Sequence, residues 1–568
     1  MPRPVKTERP VTTEPVSEPI QGTTIVVLHP GSMTLRLGRA TDHFPQSLPH
    51  VIARKIRNIV KTEPSCNFLS RNGTLGKISE ETHLKGFQAT KSFINTMRIS
   101  GGLRKHKTTS SEVAAYNAQV VPVETENDGS VSWTDTNNDS FDSLIGEQVL
   151  KLSPNAPYSC RWPMRYGELN SHGGIGGSIS SILTDLETLW GKAIEKYLDI
   201  PLKDLSYYRA VLLLPDMMNK SHAKLLIDVI LNRLKFSCIL VHQESVCGTF
   251  GSGLPSACVV DVGAEKTTIC CVEDGISVPS SRIQLNYGGN DITRTFCWLL
   301  KSINFPYKSL DVNNMFDLQL LQELKETFCH LSLALPSGQV HEFQVVTPDK
   351  NIQTYKLRLG DEPLIAPVGM FIPSLFGITS SRLIETYSDV DHDPEDLMDD
   401  RYLLEKRDID AKKSKIDGEE IQECITPPPC MPKEHLRLDP IRDQGMPLDE
   451  AIMYSIESCS NLETKRKMYG TVLLIGGGLS FKGADEFLLK RLQAQLPAHY
   501  QFVKDQMEVI ARPKESDPRN TCWKGGAVLS ILDSAQELWI SRNEWNKYGV
   551  RIVRERCGFQ WSSNMDKL

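Results

Sequence analysis

Three widely separated units of a buried strand followed by a glycine-containing turn limit the folds open to this chain of 568 residues. Because glycine has no Cβ, such a turn lets backbone N–H groups approach an anion closely. One turn of this kind is usually only structural, but three in one chain predict a cleft that holds a nucleotide between two lobes. The three units are Leu28–Ser32, Val260–Gly263 and Ile475–Gly478.

Length and composition indicate an α/β protein with more than one lobe. A chain of 568 residues is too long for a single core. From Ile179 onward, strands such as Ala210–Leu214 alternate with amphipathic helices, which is typical of α/β folds. The net charge of −6 excludes a uniformly basic nucleic-acid binder, so any DNA contact requires a local patch.

Other composition features point to a soluble intracellular chain. The 14 cysteines have no zinc-site spacing and predict reduced, mostly buried thiols. The N-terminus has no apolar signal core, and no run approaches the ~18 apolar residues of a membrane span. We therefore expect no membrane association.

The most specific motifs lie in the C-terminal third. The strand Thr471–Ile475 runs into three glycines, Trp523-Lys524-Gly525-Gly526 opens a helix, and Glu537–Ser541 follows. This series resembles the actin family, and within it the nuclear actin-related proteins of chromatin remodelling assemblies. The resemblance covers roughly residues 23–53, 158–377 and 446–559. It implies an actin-like (ribonuclease H-like) two-lobed ATPase fold with large insertions.

The resemblance divides the chain into core segments and insertions. The core segments are 22–53, which opens the small lobe with the first phosphate hairpin, 158–377, which contributes to both lobes, and 446–568. Residues 1–21 are rich in Pro, Thr and Glu and predict a disordered tail. We expect 54–157 to be a polar, irregular, partly disordered insertion in the small lobe, and 378–445 to be a charged, disordered insertion.

The resemblance also implies a site for ATP with Mg²⁺. Gly31 and Ser32 match the first phosphate hairpin, and Asp261 and Gly263 match the second, where the Asp261 carboxylate holds Mg²⁺ through water. Gln243 lies about one residue from the glutamine that orients the attacking water. The other matched residues are Lys325 and Glu326 at the adenosine, Gly476 and Gly477 under the base and phosphates, and Arg519 beside the adenine. Without the resemblance, Lys325 and Glu326 would be assigned to an exposed helix face.

Departures from the actin pattern predict a weak catalyst. His29 replaces an aspartate near the metal, Pro30 has no N–H to offer, and Thr268 replaces a histidine near the attacking water. Hydrolysis depends on metal positioning and water orientation. We therefore expect ATP binding with little or no turnover, no catalytic residue, and a structural role for His29; an empty pocket is the alternative. The further departures are Met33, Ala264 and Glu265, of which Glu265 is expected to repel phosphate.

Partners follow from the resemblance. It implies a nuclear subunit of an Ino-eighty type remodeller, bound to a helix of the motor subunit beside nuclear actin and another actin-related protein. Such a subunit helps to engage histones and linker DNA and acts in transcription regulation, DNA repair and recombination. The acidic run 389–400 offers a surface for histones. Basic residues that suit phosphates, or only a solvated loop, are Arg54, Lys55, Arg57, Arg104, Lys105 and Lys107.

Other functions of this fold stay open as alternatives. An active actin-like ATPase would release ADP, and a cytoskeletal actin-like protein would form filaments. Both regions that actins use for filament contacts are altered here, so we expect no homopolymer. A sugar kinase or a heat-shock chaperone fits the C-terminal motifs poorly.

Overall fold

The computed structural model describes residues 21–56, 67–71, 76–101, 108–126, 133–134, 142–153, 156–347, 351–380, 382–386, 445–513 and 516–557. Within them, two mixed sheets form the cores of two lobes, as the sequence predicts for an actin-like α/β fold. Among these residues, no helix is long and apolar enough to cross a membrane.

The first sheet has six strands. Three antiparallel neighbours are followed by two strands parallel to Ile25–Pro30, and a short antiparallel strand closes one edge. Ile25–Pro30 is buried throughout, which explains its continuous apolar run. In spatial order the strands are Gln46–Pro49, Thr34–Arg39, Ile25–Pro30, Arg209–Leu214, Cys238–Gln243 and Ile540–Ser541.

The second sheet repeats this plan. Its central strand Ser256–Val262 also has an antiparallel hairpin partner on one side and a parallel strand on the other. The repetition places the glycine turn after Val262 in the same structural position as the turn after Pro30. In spatial order the strands are Ile384–Thr386, Ile283–Leu285, Thr267–Glu273, Ser256–Val262, Thr471–Ile475 and Glu508–Ile510, with Ile276–Ser277 paired to Thr267–Glu273.

Helices cover both sheets. Ile179–Leu198 begins at the Ser178 cap and buries Leu186, Leu189 and Trp190, which confirms its predicted apolar face. The others beside the first sheet are Lys220–Asp228, which continues into the π-helical turn Val229–Arg233, Arg542–Tyr548 and Val550–Cys557. Those of the second lobe are Gly289–Ser302, Met315–Phe328, Glu362–Val368, Leu448–Glu457, Leu462–Gly470 and Ala484–Gln495.

Two helices, Glu244–Ser252 and Thr521–Ile531, pack tightly against each other at the junction of the lobes. A Cβ on Gly251 would lie 2.0 Å from Thr521 O, and one on Gly525 would lie 1.7 Å from Cys247 O. The backbones therefore touch, and only glycine fits at these positions. Trp523 donates a hydrogen bond from Nε1 to Val27 O at 3.2 Å. The tryptophan–glycine motif thus joins the lobes.

The insertion 54–157 contradicts the prediction of an irregular segment. Glu80–Ser100 and Ser110–Ala118 are helices, and Glu80–Ser100 packs on Pro373–Phe376 of the second lobe. Gly86 permits this contact, because a Cβ there would lie 2.3 Å from Leu375 N. The buried face of Glu80–Ser100 consists of His83, Gly86, Thr90, Ile94 and Arg98, so the sequence has no apolar periodicity.

Short strands attach the insertions to the core. Ile52–Lys55 pairs with Ser143–Ile145 and Tyr158–Arg161, and Val123–Thr125 extends the hairpin Gln339–Val345 and Ile352–Leu359. The remaining elements are the pairs Met164–Arg165 with Glu168–Leu169 and Lys77–Ile78 with Ile378–Thr379, and the short helix Glu147–Leu150.

The predicted charged insertion 378–445 begins later than its predicted boundary. Ile384–Thr386 pairs with the core strand Ile283–Leu285, and Ile378–Thr379 pairs with Lys77–Ile78 of the first insertion. The acidic run 389–400 lies outside the described residues, as does the predicted tail up to residue 20.

Candidate functional site

Two matching hairpin turns face a cavity between the sheets. In the first, Gly31 donates its N–H to Thr34 O at 3.0 Å; in the second, Gly263 donates to Lys266 O at 2.9 Å. Each turn therefore closes over four residues in the same way. Because both turns follow a central strand, they present their backbones to the same space.

The third glycine turn packs against the second hairpin. Gly476 has φ +85°, and a Cβ there would lie 2.3 Å from Asp261 Oδ1. Gly478 donates its N–H to Val262 O at 2.7 Å, and its own Cβ would lie 2.3 Å from Gly263 O. Larger residues are excluded at both positions, since the adjacent strands Ser256–Val262 and Thr471–Ile475 end here side by side.

The cavity has a volume of about 980 Å³, at the upper end for small-molecule sites. The structure brings all nine predicted cofactor residues to its wall, although their binding to a nucleotide stays a prediction. They are Gly31, Ser32, Asp261, Gly263, Lys325, Glu326, Gly476, Gly477 and Arg519.

The residues predicted at the adenosine lie on one side of this cavity. Lys325 is buried, and its Nζ donates to Gln322 Oε1 at 2.8 Å and to Gly289 O at 3.3 Å. Burial lowers the pKa of Lys325 to about 8. Glu326 accepts a hydrogen bond from Gln322, and Arg519 forms an ion pair with Asp517.

A buried cluster of three charged or titratable side chains lies where the metal and water sites were expected. His29 Nε2 lies 3.1 Å from Glu244 Oε1, and Lys266 Nζ lies 3.7 Å from Glu244 Oε2. Burial opposes the ionisation of Glu244, but Lys266 and His29 outweigh it and lower its pKa to about 2. We call His29, Glu244 and Lys266 the cleft triad. Among the described residues, His29 Nδ1 has no hydrogen-bond partner.

Gln243, which the sequence matches to the water-orienting glutamine only to within about one residue, does not line the cavity. Its side chain is buried away from the cavity and accepts a hydrogen bond from Ser277 Oγ at 2.7 Å. The next residue, Glu244, lines the cavity instead. Gln243 ends the strand Cys238–Gln243 in an extended conformation and Glu244 begins the helix, so the two neighbouring side chains point in different directions.

The expectation that Glu265 repels phosphate is also contradicted. Arg165 forms an ion pair with its Oε1, and the Tyr166 N–H donates to its Oε2 at 2.8 Å. Arg165 also donates to the backbone oxygens of Phe68 and Ser70. The carboxylate is thus neutralised by Arg165, and it ties the second hairpin to the loop that begins at Tyr166.

Asp261 and Arg36 face each other in the wall. Burial, and then the negative charge of Glu244, raise the pKa of Asp261 to about 7. Burial of the Arg36 guanidinium lowers its pKa, and the negative charge of Asp261 is the strongest opposing effect. Arg36 pairs across the first hairpin with His29, which places a guanidinium beside the cleft triad.

His50 fixes the backbone of the first hairpin. Its Nδ1 donates to Gly31 O at 2.6 Å, and its Nε2 accepts from Trp190 Nε1 at 3.1 Å. These two bonds require the neutral imidazole, and burial lowers the pKa of His50 to about 4.

The described residues provide little support for the predicted DNA contacts. Arg54 Nε donates to Asp185 Oδ1 at 2.8 Å, and its Nη2 donates to Thr188 Oγ1 at 2.9 Å, so this side chain holds the insertion to the helix Ile179–Leu198. Lys55 is half-buried on the same strand. The other predicted contacts, Arg57, Arg104, Lys105 and Lys107, lie outside the described residues.

Arg36, Glu244 and Lys266 are the site residues that sequence reasoning missed. Arg36 could have been found, because it is a charged residue between Leu35 and Leu37 in a buried strand. Glu244 and Lys266 gave no such signal, since they come from different lobes and meet only in the fold.

Comparisons with known proteins agree with this architecture. The family model described as Actin matches residues 20–558. The chain is 41% identical to actin-related protein 8 of Salmo salar and 40% identical to that of Homo sapiens, in each case over 95% of this chain and 93% of the relative. A solved structure described as human actin-related protein Arp8 in its ATP-bound state superimposes with a TM-score of 0.83 at 40% identity, covering 97% of this chain and 100% of that one. The chain therefore belongs to the actin family, and within that family to the actin-related protein 8 group.

Proposed function

We propose that this protein is a nuclear structural subunit of an Ino-eighty type chromatin remodelling complex that binds ATP and hydrolyses little or none of it. The observation that carries the proposal is the cleft itself. It has three glycine turns that can hold phosphates, yet the cleft triad fills the position expected for the metal and the attacking water. The ATP-bound state of the solved human relative supports the choice of ligand.

Weak turnover follows from how the acidic groups are used. A general base must accept a proton from water within hydrogen-bond reach. The two oxygens of Glu244 face the His29 ring and the Lys266 ammonium, and those of Glu265 are bonded to Arg165 and to the Tyr166 N–H. Thr268 offers only a hydroxyl, which is a poor base at neutral pH. These groups therefore activate water poorly.

The expected Mg²⁺ fits this wall less well than the nucleotide does. Mg²⁺ requires oxygen ligands in near-octahedral geometry and usually includes carboxylates. Here the Lys266 ammonium and the His29 ring surround Glu244. Among the described residues, no group of three or more His, Cys, Asp or Glu is placed to hold a metal ion.

Nucleotide content and turnover test this proposal. The purified protein is denatured, the released nucleotide is identified by chromatography, and added ATP is followed over hours. We expect bound ATP that survives unhydrolysed. Gly476→Val is the blocked-site control, because its side chain would overlap Asp261; Gly470→Val is the matched control, since nothing lies within 4 Å of a Cβ there. Bound ADP with steady phosphate release, absent in Gly476→Val, would instead identify an active ATPase.

The proposed partners are a helix of the remodeller motor subunit, nuclear actin, another actin-related protein, histones and linker DNA. Membership of the actin-related protein 8 group supports this set. The helix Glu80–Ser100 covers part of the second lobe, which also supports a subunit rather than a filament protein. Co-purification from nuclear extract with a tagged chain tests the assembly, and recovery without any remodeller subunit would argue against it.

The roles in transcription regulation, DNA repair and recombination belong to the same proposal. With Arg54 held by Asp185, DNA contact would depend on Lys55, Arg57 and the basic residues 104, 105 and 107. Replacing Arg104, Lys105 and Lys107 with Ser should weaken binding to linker-length DNA and reduce its salt dependence. An unchanged salt slope would remove DNA from this set of partners.

A further inference from the structure

We propose that the Lys266 ammonium supplies the positive charge that a divalent cation supplies in other triphosphate sites, so that this cleft binds nucleoside triphosphate without a metal. The inference rests on the proposed function, because it concerns the same cavity and the same ligand. It assigns to Lys266 a specific role in binding: neutralising phosphate.

The position of Lys266 carries the inference. The residue follows the second glycine turn, and its own carbonyl closes that turn by accepting the Gly263 N–H. Its side chain lines the cavity, while its Nζ is enclosed between Glu244 and Gly167. A Cβ on Gly167, whose φ is +77°, would lie 2.6 Å from Nζ. The loop at Gly167 therefore leaves space for this ammonium.

Among the described residues, the Lys266 ammonium is short of hydrogen-bond acceptors. Lysine has three donors, and within the described part of the chain Nζ has no hydrogen-bond acceptor. Glu244 Oε2 at 3.7 Å forms an ion pair that is longer than a hydrogen bond. Burying an ammonium in this way is costly unless it is paired and hydrogen-bonded. Phosphate oxygens in the cavity would provide the missing acceptors at charge-assisted distances once the Lys266 ammonium turns from Glu244 towards them.

The surrounding charges disfavour a divalent cation at the same place. Lys266 and His29 both face Glu244, and Arg36 lies beside them in the wall. Like charges at short range repel strongly in a site with little water. A triphosphate neutralises Lys266 and Arg36 directly, whereas a metal would have to displace Lys266 from Glu244. Fixed protein cations thus fit the cavity better than an added Mg²⁺.

Calorimetry with nucleotide-stripped protein tests the inference. ATP is titrated into full-length protein in EDTA and, separately, in excess MgCl₂. We expect dissociation constants within about threefold of each other, because the protein provides the charge. Lys266→Met should weaken ATP binding in EDTA by about tenfold or more, the usual effect of losing a charged hydrogen bond. Lys266→Arg should recover most of the affinity, and exposed Lys224→Met should leave it unchanged.

The outcomes separate this inference from the proposed function. ATP binding by the wild type in MgCl₂ but not in EDTA would overturn the role of Lys266 and leave nucleotide binding intact. Absence of binding in both buffers would refute the proposed function itself. Thermal unfolding without nucleotide shows whether Lys266→Met folds. If it does not fold, Glu244→Gln provides the test. This change removes the carboxylate that pairs with Lys266, so the variant should bind ATP in EDTA more tightly than the wild type. Unchanged or weaker binding would overturn the inference.

Discussion

Replacing Gly525 with alanine should loosen the junction between the two lobes. The new Cβ would lie 1.7 Å from Cys247 O, whereas normal contact needs about 3.5 Å, so the two junction helices must separate by about 2 Å. Overpacking of this severity costs about 3 kcal/mol. Alanine gains about 1 kcal/mol over glycine in a helix, which leaves a net loss of about 2 kcal/mol. We therefore expect a clearly lower thermal midpoint.

Differential scanning calorimetry with saturating ATP measures this change. Gly470→Ala is the matched control, because Gly470 ends a helix and a Cβ there meets nothing within 4 Å. It should leave the midpoint unchanged or raise it slightly. A midpoint for Gly525→Ala at or above that of Gly470→Ala would refute the close backbone contact. Equal midpoints would also remove the junction as the reason for the tryptophan–glycine motif.

Three further predictions follow from buried groups and covered surfaces. Burial lowers the pKa of His50 and of His242 to about 4, so the unfolded chain binds more protons between pH 6.5 and 4. Stability is complete above pH 6.5, and each histidine should remove about 2 kcal/mol at pH 5, measured as a lower thermal midpoint than at pH 7.5; equal midpoints would contradict this. Arg98→Met leaves Asp361 without its two-bond partner and should make the helix Glu80–Ser100 sensitive to trypsin, whereas exposed Arg466→Met should not. In salt that polymerises actin, the protein should stay in the supernatant, and pelleted filaments would contradict the proposed subunit role.

The sequence predicts the core of this fold because its strands are buried on both faces. Ile25–Pro30 and Thr471–Ile475 are continuous apolar runs, and the glycines that follow them mark the turns. The helix Glu80–Ser100 was not predicted, because it buries His83, Gly86 and Thr90 rather than an apolar stripe. A helix whose buried face consists of polar and small residues can be recognised only when the surface it packs against is known.

The residues of the site also fall into those that the sequence predicts and those that it does not. Glycines are predictable from motif and position, since the backbone geometry demands them: at Gly476, positive φ and the close approach of Asp261 coincide. The cleft triad cannot be predicted from the sequence, because His29 and Glu244 are 215 residues apart and belong to different elements. Arg54 illustrates the opposite error. Its positive charge suggested that it binds DNA, yet its side chain forms a hydrogen bond with Asp185 of the neighbouring helix. Pairing across the fold decides what a charged residue does.

If the proposed function is correct, the distribution of charge in the cleft gives the bound nucleotide a structural role that does not require hydrolysis. Lys325 is buried and Arg36 and Lys266 are largely enclosed in the wall of one cavity, which glycine turns from both lobes border. Without an anion, these cations are incompletely compensated, and their burial opposes closure of the lobes. A triphosphate supplies acceptors to both sides at once, so its binding free energy adds to the stability of the closed form. Hydrolysis and phosphate release would discard that contribution. A cleft that holds the triphosphate and leaves water unactivated therefore serves a structural subunit better than a working ATPase site.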